Sequence, residues 1–147
     1  MSGGYNAAMK IDITPLEKAL GELAVNLRQI DSKVWGDDAD LKRTVERGAA
    51  QAFEFTYEVA LSLLRRQMEE IAGGSTKIKR LEFMDFLRAA ADHDFIPDAQ
   101  RFFEYREKRN LTSHNYDEEV MRQLLAVLDS FAQDARFLLG QLQLYNR

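Results

Sequence analysis

The chain has 147 residues, a length that predicts one domain able to bury a core without covalent staples. Hydrophobic residues make up 46% and charged residues 30%, a globular balance, and the absence of cysteine excludes disulfides, thiolate metal sites and cysteine nucleophiles. A formal net charge of −4 argues against a protein that coats nucleic acid through bulk charge, and two histidines are too few for a histidine-rich metal centre.

In chain order, residues 1–13 read as a flexible N-terminus. The opening MSGGYNAAMK lacks the charged and apolar regions of a secretory signal, and no later run is apolar enough to span a membrane, so a cytoplasmic location is expected. Residues 14–147 are expected to form a single helical-bundle domain. Thr14-Pro15-Leu16-Glu17 combines a capping threonine, proline at the first helical position and glutamate three residues after the cap. Leu16, Ala19, Leu20, Leu23, Leu27 and Ile30 then recur at helical spacing, predicting a helix to about Asp31.

Trp35-Gly36-Asp37-Asp38 predicts a turn, with Asp38 or Asp40 capping a long helix from about Leu41 to Ile71. Its stripe is Val45, Ala49, Phe53, Tyr57, Leu61, Leu64 and Met68, and Gly73-Gly74 ends it. Phe55 falls off the stripe, as ordinary exposed apolar surface or as part of a face covered in an oligomer. A shorter helix fits about Lys79 to Asp92 through Leu81, Met84, Leu87 and Ala91. Pro97 opens a fourth, reaching about Arg109. After a connector, Val120, Leu124, Val127, Leu128, Phe131, Ala135, Leu138 and Leu142 mark one last long helix. With no period-two alternation, hairpin turn or phosphate loop, the expected class is all-α, an antiparallel bundle of about five helices around a four-helix up-and-down core.

Positive charge concentrates around Lys77, Lys79 and Arg80 and again across Arg101, Arg106, Lys108 and Arg109, a pattern that solvated helix ends also produce. His93, between Asp92 and Asp94, reads as a polar helix end because no further histidine or cysteine completes a metal site. Arg65-Arg66 before Glu69-Glu70 reads as a solvated face with i, i+4 pairs.

The connector RNLTSHNY, residues 109–116, is where the chain departs from what a helical core requires. An arginine followed by histidine five positions later is expected about 0.2 times by chance at these frequencies, so that pair alone decides nothing. Asparagine at 110 and tyrosine at 116 make the pattern specific. His114 would exchange protons near neutrality, Arg109 would present a fixed fork of donors to a phosphate, and Asn110 would orient either partner. On the structural side, Arg109 would complement a helix dipole, Asn115 or Asp117 would cap the next helix, and Tyr116 would serve as a hydrophobic staple.

RNLTSHNY resembles the arginine–four residues–histidine–x–tyrosine motif of HEPN proteins, in particular the nucleotidyltransferase substrate-binding, HepT-like branch. Gln51 to Glu58, Leu87 to Ala91, Ile96 to Arg109 and Tyr116-Asp117-Glu118 resemble the corresponding helices, so the likeness covers about residues 14 to 142. The resemblance implies a metal-independent ribonuclease in which Arg109 and His114 are catalytic and Asn110 supports them. The RNA's own 2′-hydroxyl would be the nucleophile, so neither metal nor other cofactor is expected. It further implies a homodimer acting as the toxin of a toxin–antitoxin pair. A cognate minimal nucleotidyltransferase would be the antitoxin, attaching AMP to Tyr116. RNA is then the expected substrate, with no role for DNA or membrane. A non-catalytic subunit presenting nucleotide or another substrate to a separate nucleotidyltransferase remains the alternative, and a purely structural helical module a third.

Overall fold

The computed structural model describes residues 10–73, 76–79, 81–112 and 115–147. Every regular element among them is a helix: α1 (Thr14–Ser32), α2 (Ala39–Ile71), α3 (Thr76–Lys79), α4 (Phe83–Asp92), α5 (Ala99–Leu111), α6 (Glu118–Leu125) and α7 (Leu128–Tyr145). The all-helical expectation holds. The count exceeds five because a single turn forms as α3 and because the last helix is divided.

Helix starts show how local chemistry sets these boundaries. Asp38, Asp98 and Asp117 accept the backbone N–H of Leu41, Arg101 and Val120 at 3.0, 3.0 and 2.8 Å, three side-chain caps for α2, α5 and α6. Pro97 thus precedes the cap of α5 and does not itself open the helix. Thr14 does not cap α1. It lies within the first turn, and its N–H donates to Asp12 Oδ1 at 3.0 Å. These hydrogen bonds from Thr14 hold the Asp12 carboxyl below its ordinary value.

α2 organises the bundle. Its expected stripe from Val45 to Met68 is buried throughout, and α1, α3, α5, α6 and α7 all pack on it. Phe53 meets Phe131 of α7 edge-on at 4.8 Å between ring centres, and Phe131 meets Tyr105 of α5 at 5.2 Å. Phe86, Leu87 and Ala90 form the buried side of α4, which starts at Phe83 and not near Lys79. The preceding segment forms α3, whose Ile78 is itself buried.

Between α6 and α7 the backbone tightens. Val127 N–H bonds the Leu124 carbonyl, three residues back, before Phe131 N–H returns to Val127. The small break leaves Leu124, Leu128, Phe131, Leu138 and Leu142 all within the core. Residues 10–13, expected to be flexible, are held. Ile11 is buried, and its N–H donates to Asn146 Oδ1 at 2.8 Å beyond the end of α7.

Asp134 on α7 is the one buried charged side chain among the described residues, and three donors surround it. Arg101 Nε and Nη2 approach at 2.8 and 2.9 Å, and Tyr105 Oη donates at 2.6 Å. This pair of α5 side chains fastens α5 to α7. Asp134 raises the Arg101 pKa further above its already high value, chiefly through that hydrogen bond.

Candidate functional site at the α5–α6 connector

Arg109 occupies the last turn of α5, where its charge also complements the helix dipole. The turn closes with Thr112, whose Oγ1 donates to the Arg109 carbonyl at 2.7 Å. Asn110 lies on the same turn. Ser113 and His114 lie outside the described residues. Past them, Asn115 Oδ1 accepts the Asp117 N–H at 3.0 Å, and Asp117 caps α6. Of the two candidate caps, Asp117 is the one used.

Both ends of the connector are tied to one face of α2. Arg109 Nη2 donates to Glu58 Oε1 at 2.7 Å, and Tyr116 Oη donates to Glu54 Oε2 at 2.6 Å. Glu54 and Glu58 are four residues apart, so the helical period alone stacks them. That hydrogen bond and the Glu58 charge raise the Arg109 pKa, so its cationic form is reinforced. Burial, then the Glu54 hydrogen bond and charge, push the Tyr116 phenol up to about 12, against the opposing charges of Arg109 and Arg47. Tyr116 packs its ring on the core, as a staple would, while its hydroxyl is spoken for by a carboxylate. Tyr57 lies on the same turn of α2, its phenol raised to about 12 by burial despite nearby Arg106, Arg109 and Arg65.

The expected basic cluster of α5 separates into different jobs. Arg101 belongs to the Asp134 clamp, and Arg106 lies over the rings of Phe83 and Phe103 at 4.2 and 5.1 Å. Lys108 reaches Gln123 Oε1 of α6 at 3.3 Å. Only Arg109 of this group meets the α2 carboxylates. Arg65, expected on a solvated charged face, lies over Phe86 at 4.4 Å. His93 follows α4 as its C-terminal cap residue, the polar helix end expected of it.

Sequence reading missed an open groove of about 820 Å³ beside Tyr116. Lys42, Arg43 and Arg47 line it from α2, and Met121, Arg122 and Leu125 from α6, with Glu46, Glu118 and Glu119 among its walls. Arg43 and Arg47 are one helical turn apart near the start of α2, with Lys42 beside them, a signal visible in the sequence but unremarkable without its partner helix.

The family described as "Nucleotidyltransferase substrate binding protein like" matches residues 11–144, a span running from the buried Ile11 nearly to the end of α7. The chain belongs to that family. It is 34% identical over 140 residues to a protein of Haemophilus influenzae named probable ribonuclease HepT, covering 94% of this chain and 96% of that one. A solved structure from Haemophilus influenzae, described as revealing the fold of a substrate binding domain of a nucleotidyltransferase, superposes with a TM-score of 0.83 at 34% identity. That match covers 90% of this chain and 99% of the other. This member therefore shares the fold of a nucleotidyltransferase substrate-binding domain. Its connector, clamped by Glu54 and Glu58, lies wholly within the matched span.

Proposed function

We propose that this chain is a metal-independent endoribonuclease and the toxin half of a toxin–antitoxin pair, with Arg109 and His114 catalytic, Asn110 supporting and Tyr116 the site of AMP attachment. The observation that carries the reading is the double clamp on α2, which fixes Arg109 and Tyr116 at the two ends of the motif. A partly exposed arginine held by one nitrogen retains further donors for a phosphodiester. In the proposed reaction the RNA 2′-oxygen bonds to phosphorus as the bond to the 5′-oxygen breaks. His114 takes the proton of the 2′-hydroxyl or returns one to the leaving 5′-oxygen, and Arg109 balances the negative charge that builds on the non-bridging phosphate oxygens. An AMP group on Tyr116 brings a phosphodiester beside Arg109 and occupies the place of substrate. The similarity to a protein named probable ribonuclease supports the same direction.

A homodimer would bring two connectors to a shared cleft. Phe55, 60% exposed between Glu54 and Glu58, and Leu111, exposed at the end of α5, are apolar groups such an interface would cover. The antitoxin in this reading is a cognate minimal nucleotidyltransferase.

The test is RNA incubated with the protein in chelator, beside His114→Ala and Arg109→Ala. Cleavage by the parent chain and a loss of about 100-fold or more in each variant are expected. Absent cleavage, or cleavage indifferent to both changes, rejects the nuclease. The family description and the solved substrate-binding relative favour a second reading, a non-catalytic subunit that presents substrate to a nucleotidyltransferase. It predicts a stable complex with that enzyme, nucleotide binding near the connector and intact RNA.

A further inference from the structure

Resting on the reading that Tyr116 receives a nucleotide, a second question is which group removes its proton. A phenol that holds its proton to about 12 is almost wholly neutral at physiological pH and attacks phosphorus poorly. Its hydroxyl already points its hydrogen at Glu54 Oε2, 2.6 Å away, within the reach required of a general base. The same tyrosine forms part of the wall of the open groove between α2 and α6, whose Lys42, Arg43, Arg47 and Arg122 stand among three glutamates, so a nucleotide phosphate has an approach to it beside those cations. Nucleophile and acceptor belong to one chain, Glu54 on α2 and Tyr116 in the connector just before the Asp117 cap of α6.

We propose that Glu54 is the proton acceptor for nucleotide transfer to Tyr116, so that the modified protein supplies the base as well as the nucleophile. The co-reactant is a nucleoside triphosphate bound to the cognate nucleotidyltransferase. Tyr116 Oη bonds to the α-phosphorus, the bond from that phosphorus to the bridging α–β oxygen breaks, and pyrophosphate leaves. The phenolic proton passes to Glu54 Oε2 and then to solvent. No electron transfer is involved, and the charges that face the phenol throughout are Glu54 and Arg47 from α2 and Arg109 from α5. Glu118, Glu119 and Arg122 bound the groove from α6.

The experiment follows AMP addition from ATP by the cognate nucleotidyltransferase, using intact mass of the full chain across a pH series. The substrates are the parent chain, Glu54→Gln, Glu54→Asp and Tyr116→Phe. Glutamine keeps an acceptor for the hydroxyl but takes up no proton. Its adduct should form about 100-fold or more slowly, with a rate that climbs as rising pH generates phenolate. Aspartate, which keeps the carboxylate, should recover part of the loss, and phenylalanine should take no adduct. Thermal midpoints of all four, read beforehand, separate a chemical effect from unfolding. Equal rates and equal pH dependence for the parent and Glu54→Gln overturn the role of Glu54 alone. No adduct on the parent chain removes the modification reading, and this inference with it.

Discussion

Three phenols illustrate how burial speaks through single residues. Tyr57, Tyr105 and Tyr116 each keep their proton to about 12, against 10.0 for a free side chain, with burial the leading cause in every case. Below pH 10 all three are protonated whether the chain is folded or not, and their contribution to stability is complete. From pH 10 upward the unfolded chain releases its protons first, so that contribution declines and is lost as pH passes about 12. Phenolate absorbance from these residues should therefore appear together with loss of helical circular dichroism on alkaline titration. Tyrosinate signals from all three that precede unfolding would contradict it. The Arg109–Glu58 pair has a different standing. With the Glu58 side chain 58% exposed, its stability is limited to about 1 kcal/mol or less, so its significance is in aiming the guanidinium.

Among elements, the α5–α7 contact shows a buried charge made tolerable by its donors. Truncating Asp134 would take from Tyr105 and Arg101 the acceptor they share, leaving Tyr105 with Ser130 Oγ and Arg101 with the Asp98 carboxylate at 3.5 Å. Arg101 keeps 43% of its side chain exposed and would recover some hydration. Asp134→Ala should thus cost about 2–3 kcal/mol, less than loss of a fully buried partner, and Asp134→Asn should cost less than Ala. Urea unfolding with an unchanged slope reads both values, and a loss below that of an ordinary surface substitution would contradict the clamp. Caps at Asp38 and Asp98, and the choice of Asp117 over Asn115, belong to the same scale. Each involves residues three positions apart, which is why Asp38 and Asp117 were legible as caps, whereas Asp98 was passed over in favour of Pro97. Thr14 misled because the helix begins one residue earlier: the Ile13 carbonyl accepts the N–H groups of Leu16 and Glu17, the amides a Thr14 cap would have met.

At the scale of the molecule, the proposed dimer makes a direct prediction. Phe55→Lys should shift the mass in light scattering from two chains to one while leaving the helical signal intact, because that side chain contributes little to the monomer core. A parent chain of single-chain mass at every concentration would reject the dimer. The helices themselves were readable, since periodic apolar residues report burial against any partner. Leu16 to Leu23, the α2 stripe, and Leu124 to Leu142 are buried as their spacing required. The break at Val127 was not readable, for the apolar residues keep the helical period across it while the backbone tightens by one residue. Nor were the α2 carboxylates recognisable as part of the candidate site. Glu54 and Glu58 precede Arg109 by more than fifty residues, and glutamates on a helix ordinarily face solvent. The all-helical class, most helix positions and the candidate connector from Arg109 to Tyr116 were legible in the sequence, because these depend on neighbours within a turn or two. Tertiary structure alone decided that Glu58 aims Arg109, that Glu54 accepts from Tyr116 and that a groove of mixed charge opens beside them. Those contacts join distant segments, and their chemistry exists only once packing of α2 against α5 and α6 brings the charges within hydrogen-bond reach.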